Sequence, residues 1–565
     1  MPDPHDDQFV QRRLLLASLL SALVIMAYFY FSSLGQPPLA PPPAGEPEQT
    51  AVEKAPAPPP PAAEDAAPAP AEAPASAEAE REITVDTATS RIVLSNRGAV
   101  ARSWVLTDYL NARGEQLDLI HRKGADEFGF PLSLRLDGGG KIPTLDDALF
   151  QVDAPDHVKA PAELRFVYSD GARTVRKTLR FEETGYVVHL ATEVVINGAA
   201  QPHYVAWPGG FGDTAHPNDS VYSQLIYFDN SEGEIELVSA SDLEDQRIAV
   251  QGDFPYAGVE DLFFGAIFLP EGGRPLRLEA TGVSIAPMAD SDDRETFAAA
   301  AFGGDSRNDF RVYVGPKDVD VLQAVEPRLR EIVDFGFFGF VAEPLFLLMR
   351  WVHSTIVDNW GWTIIVVTIF INMALFPLKW KSTKSMKRMQ KLQPLIKQIN
   401  EKYKGLSMRD PKKAQQNQEL MDLYKKYNVN PVGGCLPLLL QMPFFLAFYN
   451  LLTVAIEIRQ ADWLWVEDLS RPEQLPIRIL PLAMIGSQFW MQSLTPTPSA
   501  DPTQARIMKF MPLMMGFIFY NFQSGLVLYW LTSNIVGIVQ QVAMNKLPGD
   551  EIEIEQPRRR GRRKK

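Results

Sequence analysis

The 565-residue chain has one cysteine, Cys435, so no intrachain disulfide can form, and a lone thiol in an apolar run suggests neither redox nor cysteine-ligated metal chemistry. Its seven histidines stand at 5, 121, 157, 189, 203, 216 and 353, none inside the later apolar segments, which speaks against a histidine proton relay. Those segments also lack Asp and Glu and, apart from Arg478 and Lys509 near segment ends, Lys and Arg. Ion-coupled pumps and transporters generally need a titratable or charged group at depth. No phosphate-cradling Gly-Lys-Ser/Thr loop, metal cluster or nucleophile constellation occurs. The expectation is therefore a protein that is not an enzyme and uses no cofactor, nucleotide or metal.

What is present is a mosaic. Apolar residues make up 46% of the chain, and the formal charge of −14 is unevenly spread. Residues 379 to 430 hold 14 Lys/Arg against 4 Asp/Glu, and residues 558 to 565 hold seven basic residues and no acids. Leu14 to Phe31 is an apolar run behind Arg12 and Arg13, which reads as a first span at 14–33 with residues 1–13 in the cytoplasm; a cleaved signal peptide is the alternative. Residues 34–81, dominated by Pro, Ala and Glu, read as a disordered tether. From 82 to 332 short alternating runs, such as Arg91-Ile92-Val93-Leu94-Ser95 and Tyr186-Val187-Val188-His189-Leu190, are separated by turn signals such as Asn96-Arg97-Gly98 and Asn197-Gly198. Period-two alternation with frequent breakers predicts one large β-sandwich domain. His189, His203 and His216 with nearby carboxylates either surround a sugar pocket or are structural, and the second is the commoner use of such residues.

Residues 335–353 mix aromatics with Glu343, Arg350 and His353 and read as an amphipathic helix in the outer interface. Five spans follow, at 359–378, 433–456, 477–495, 507–522 and 524–544, for six in all, with a basic tail at 545–565. Charge agrees with this topology: 379–430 and the tail are the most basic stretches and fall on the cytoplasmic side with both termini, whereas the outer loop 457–475 is net acidic. Residues 379–430, punctuated by Pro394, Gly405 and Pro411, read as two polar helices in a hairpin whose charges attract anionic lipids, a ribosome or acidic client segments; the bland alternative is that they only fix topology.

The spans are apolar but not inert. The run from Asn430 to Phe445 opens a membrane-length segment interrupted by Pro437 and Pro443, and it carries Gln441, whose amide needs a partner that lipid cannot provide. Thr368 and Asn372, four apart, share a helix face, as do Gln488 and Gln492. Such amides either bond neighbouring helices, at about 0.6 kcal/mol each, or line a hydrated groove, and the set as a whole reads as a groove. The span at 507–522, at about 1.5 Å per residue, reaches about 24 Å against a hydrocarbon core of about 30 Å, which thins the bilayer locally. Fourteen of the 17 methionines fall from Met349 onward, and flexible thioethers suit either core filling or a surface that accepts many apolar shapes.

The residues Asn359-Trp360-Gly361 leading to Thr368 and Pro377-Leu378, the Asn430 to Phe445 run, Asp501-Pro502 followed by Met511-Pro512, and Ser524 through Trp530 to Ser533-Asn534 resemble the YidC membrane protein insertase family, in the long form of Gram-negative bacteria. The resemblance implies a multi-domain inner-membrane protein: a six-span α-helical region with a cytoplasmic helical hairpin, and a large periplasmic β-supersandwich domain. It implies an insertase and chaperone that receives nascent membrane proteins, alone or beside the Sec translocon, in a groove open to cytoplasm and lipid and closed toward the periplasm. The groove residues expected here are Thr368, Asn372, Gln441, Trp530 and Asn534, with the basic hairpin and tail receiving the ribosome. One departure matters. The family usually carries an arginine four residues after the threonine, where this chain has Asn372, and its tyrosine pair is here Tyr529 and Trp530. Lys379, seven residues beyond Asn372 and about 10 Å along the helix, lies almost on the same face and is expected to supply the charge from the groove mouth. A channel or small-solute transporter, and an anchored mutarotase-like carbohydrate binder, are the competing readings.

Overall fold

The computed structural model describes residues 74–546, apart from 112, 137–142, 214–221, 273–274, 287–293, 406–409, 411, 430–435 and 496–501. The expected first span, most of the tether, the Asn430 to Cys435 opening of the third span and the basic tail lie outside the described residues. Two compact units divide between Val333 and Asp334.

In the first unit, alternation becomes three largely antiparallel sheets of five, ten and five strands. Strand Val187–Ile196 sits in the largest sheet between Arg173–Phe181 and Arg307–Pro316. Every second residue of Arg173–Phe181 is buried from Val175 to Phe181, which is the pattern of a strand with one face on a core. The core is aromatic and aliphatic, with Trp104, Trp207, Phe166, Phe264 and Phe268 fully buried. Charged side chains lie within it as well, among them the ion pair of Lys317 and Glu260 (3.0 Å) and Lys177, which is held by carbonyls rather than by an acid. Lys177 is fully buried and donates to the carbonyls of Ala99 (2.6 Å), Leu132 (2.7 Å) and Gly98 (3.4 Å). Burial pushes its ammonium down to about 7.

The end of the expected tether is corrected by this unit. Ala75 exchanges backbone hydrogen bonds with Ser169, and Ala77 N–H donates to the Leu149 carbonyl. Glu80 pairs with Arg97 (2.7 Å) and Arg102 (3.2 Å), which hold its carboxyl below the usual carboxylate range. Residues 74–81 are thus fixed to the domain by local pairing that composition alone does not reveal. Of the histidines, His203 is buried between the Thr192 hydroxyl (2.8 Å) and the Gln201 carbonyl (3.0 Å), and His189 faces Glu182 and Glu271. The His203–Thr192 bond joins two sheets, and His216 lies outside the described residues.

The second unit is helical: α1 (Gly339–Thr355), α2 (Trp360–Ala374), α3 (Phe376–Lys402), α4 (Lys412–Lys426), α5 (Leu436–Val454), α6 (Ile479–Leu494), α7 (Pro502–Phe519) and α8 (Ser524–Lys546). Asn359 caps α2, its side-chain oxygen accepting from Trp362 N–H. The stretch 359–378, expected as one span, is instead broken at Leu375, and α3 leaves α2 at 56°. Pro377 in the first turn of α3 has no N–H to continue the ladder of α2, and a proline there is suited to starting a new helix. Pro394 and Pro443, expected to interrupt, lie inside α3 and α5 without ending them. Met389, Leu392 and Ile396 of α3 form a small core with Val429, against which Leu420, Leu423 and Tyr424 pack. Among the described residues one helix, α8, is by itself long and apolar enough to cross a membrane, and the bent pair α2 and α3 makes a second if taken together.

Candidate functional site

The polar residues that sequence places in apolar helices meet along α8. In the last turns of α2 the Thr368 hydroxyl donates to its own helix, at the Ile364 carbonyl (2.6 Å), and the Asn372 amide nitrogen donates to the Thr368 carbonyl (2.8 Å). The same nitrogen reaches Ser533 Oγ on α8 at 3.3 Å, and Gln441 Nε2 of α5 donates to that hydroxyl at 3.3 Å. Gln540, two turns further along α8, donates to the Asn372 carbonyl (3.0 Å), at a helix end where carbonyls run out of partners. Three helices are thus joined through one serine. Lys379 completes the seam: its Nζ donates to Asn372 Oδ1 at 2.6 Å. It is half-buried, and among the described residues no carboxylate stands within ion-pair distance of it.

Asn534 belongs to a different face of α8. Asn534 Nδ2 donates to Ser487 Oγ of α6 (3.0 Å), and the Trp530 indole N–H points to Gln488 Oε1 at 3.4 Å. The Trp530 ring also packs against Phe445 and Phe519, with centroids 4.8 and 5.0 Å apart. Thr368, Asn372 and Gln441 lie on the Ser533 side of α8 and Asn534 bonds α6, while Trp530 stands between them, touching Phe445 of α5 and Gln488 of α6. The reason is geometric, since residues 533 and 534 are adjacent and point about 100° apart on a helix. Thr368 and Asn372 are buried, at 0% and 3% exposure, whereas Gln441, Trp530 and Lys379 are half-buried.

Ser533 and Gln540 are the residues that sequence reasoning missed as site members. A serine in an apolar helix is a weak signal, but the spacing of seven puts both on one face, and that spacing is the clue. Elsewhere the surface is openly apolar: Phe510, Leu513 and Phe517 of α7 and Trp490 of α6 are exposed by 58 to 80%. Such a face needs lipid or another apolar chain to cover it. Among the described residues no group of three or more His, Cys, Asp or Glu is arranged to hold a metal ion. What the seam offers is neutral donors and acceptors and a single ammonium.

Residues 82–348 match the family described as "YidC periplasmic domain", and residues 351–551 match the one described as "60Kd inner membrane protein". A membrane protein insertase YidC of Oleidesulfovibrio alaskensis is 33% identical over 546 residues, covering 94% of this chain and 98% of the relative. Another, from Wolinella succinogenes, is 48% identical over 235 residues, 41% of this chain and 42% of that one. A crystal structure of an active YidC insertase with its first transmembrane domain resolved is 17% identical, covers 85% of this chain and 95% of its own, and superposes with a TM-score of 0.35.

Proposed function

From the premise that this chain belongs to the YidC membrane protein insertase family, an inner-membrane family whose clients are newly made membrane proteins, we propose that it lowers the barrier to moving short polar client segments into and across lipid at the seam of α2, α5 and α8. Each unsatisfied backbone or side-chain polar group in hydrocarbon costs several kcal/mol. The seam offers substitute partners in Asn372, Gln441 and Ser533, which bond one another when no client is there. The single observation that carries the reading is the Lys379 ammonium held at 2.6 Å on Asn372 Oδ1 with no carboxylate partner among the described residues. A client carboxylate that displaces the neutral amide gains a charge-assisted bond.

In this reading the chain has six spans with both termini in the cytoplasm. The first unit faces the periplasm. The hairpin of α3 and α4, with the basic tail, receives ribosome, client or anionic lipid on the cytoplasmic side, where Lys and Arg concentrate. Insertion proceeds with or without the Sec translocon, and once the client is released Thr368 and Asn372 return to their internal bonds. Short helices assist: α2 and α6, at 15 and 16 residues, reach about 22 and 24 Å at about 1.5 Å per residue, less than a hydrocarbon core of about 30 Å, so the bilayer thins beside the seam. A channel or transporter is disfavoured by the missing acidic groups at depth. An anchored sugar binder is tested by removing the first unit.

The test is site-specific photocrosslinking from position 372 to a stalled nascent membrane protein, combined with Lys379→Ala, Lys381→Ala and Asn372→Leu. Crosslinking at 372 is expected, and Lys379→Ala should reduce insertion of acidic-tailed clients several-fold more than Lys381→Ala does. Equal activity of parent, Lys379→Ala and Lys381→Ala removes the role of the ammonium. If Asn372→Leu alone is damaging, hydration without a cation is sufficient.

A further inference from the structure

We propose that the loop between α5 and α6, residues 455–478, is a latched cap that closes one end of the helix bundle during insertion, and that buried Glu473 is the positioning residue that holds it shut. The inference rests on the insertase reading for its purpose but on geometry for its existence. Helices α2, α6 and α8 all begin at this loop. Their first turns bring free N–H groups and the positive ends of their dipoles together, and such an end needs acceptors or water.

The loop supplies acceptors to each helix. Gly525 N–H of α8 donates to the Leu469 carbonyl and Ser524 N–H to the Arg471 carbonyl, both at 2.8 Å. The side chain of Asn359, the α2 cap, donates to the Asp462 carbonyl at 2.9 Å. Glu473, only 3% exposed, accepts from Leu480 N–H in the first turn of α6 through Oε2, and from the Trp465 indole N–H through Oε1, each at 2.8 Å. Asp468 folds the loop from inside, its Oδ1 accepting from Gln460 N–H (3.0 Å), Ser470 N–H (2.8 Å) and the Ser470 hydroxyl (2.7 Å). Trp463 is buried against Trp362, with centroids 5.7 Å apart.

The neighbouring helix ends are tied down as well. Arg478 donates to the Tyr520 carbonyl and Asn521 Oδ1 past the end of α7, and Gln523 donates to Thr453 Oγ1 at the end of α5. Ser533, at the seam, is nine residues from Ser524, about 14 Å along α8. A polar segment admitted at the seam therefore meets a sealed end and must leave sideways, unless the cap lifts. Glu473 is the point where lifting is decided, because it alone bridges a helix start to Trp465, which is 41% exposed at the rim. Glutamine has one acceptor oxygen and can keep one of the two bonds; alanine keeps neither.

The experiment uses the full chain with Cys435→Ser and a single cysteine from Val527→Cys, a buried position in the first turn of α8 beneath the cap. An impermeant maleimide is added to spheroplasts and, separately, to inverted vesicles. In the parent, labelling from either side is slow. Glu473→Ala should raise the rate at least tenfold from the side bearing the loop and leave the other side unchanged, with Glu473→Gln and Trp465→Phe intermediate. Glu467→Gln, exposed on the same loop, should do nothing. Unchanged labelling in a folded Glu473→Ala protein, or an equal rise from both sides, overturns the latch; if that variant does not accumulate, Trp465→Phe decides by the same criterion. Labelling needs no client, so failure here leaves the insertase reading intact. Normal one-sided gating in a chain that inserts no client sinks that reading and keeps the cap.

Discussion

An ammonium bonded to a neutral amide is a poised arrangement, since the amide satisfies one donor of Lys379 without neutralising it. Asn372 thus accepts from an ammonium carried by a flexible side chain. Lys177 in the β unit shows the opposite situation: it is fully buried and its three carbonyl acceptors belong to the fold. Its folded pKa of about 7 lies below the ordinary 10.5, so between those values the unfolded chain binds the extra proton, and parent stability rises as pH climbs from about 7 to about 10.5. Lys177→Met should lose that slope. In thermal melts the Tm of parent minus variant should grow between pH 7 and pH 10, and a difference independent of pH would show that the ammonium is not destabilised by burial. Asn372 and Lys379 can be picked out in the sequence, but their contact crosses the break at Leu375, so it is the turn between α2 and α3 and not a spacing of seven on one straight helix that brings them together. The role of Lys177 is not legible there, because a lysine in an alternating strand reads as an outward position until the neighbouring loop carbonyls are known.

At the scale of elements, helix starts and stops follow rules that the sequence states openly, while helix interiors do not. Asn359 before Trp360 reads as a cap and is one. Pro377 ends one helix and begins the next, whereas Pro394 and Pro443 are absorbed. The same residue type breaks or bends according to whether neighbours can satisfy the carbonyl it leaves free, and that is a tertiary matter. Two glycines make the point measurable. A Cβ on Gly361 would stand 2.3 Å from the Trp463 ring, while one on Gly486 meets nothing within 4 Å. Gly361→Ala should cost about 1–3 kcal/mol through overpacking and loosen the cap, while Gly486→Ala should stabilise by up to about 1 kcal/mol, the helix propensity difference. Melting of the detergent-solubilised protein checks both; a Gly361→Ala protein as stable as its parent would mean that Trp463 moves freely.

On the level of the whole molecule, the chain divides into two compact units. Deleting residues 82–332 should leave insertion of simple clients largely intact, measured by protease protection of a reporter client, because the polar seam and the cap lie within the second unit. Loss of all insertion would instead make the β unit part of the machinery.

Composition and periodicity by themselves determine the broad partition of this protein: an alternating β unit, an apolar helical unit, basic stretches set apart from them, and a polar inventory free of acids within the apolar segments. These follow because burial of apolar surface and the cost of bare polar groups act on each segment separately. Which residues meet is decided only by the tertiary structure. Helical periodicity assigns Ser533 and Asn534 to different faces of α8, but it does not say that α2 and α5 lie against one and α6 against the other. Nor does it say that Glu473, in a loop of ordinary polarity, sits buried at the start of α6. Partnership depends on packing among helices, and no local pattern encodes that.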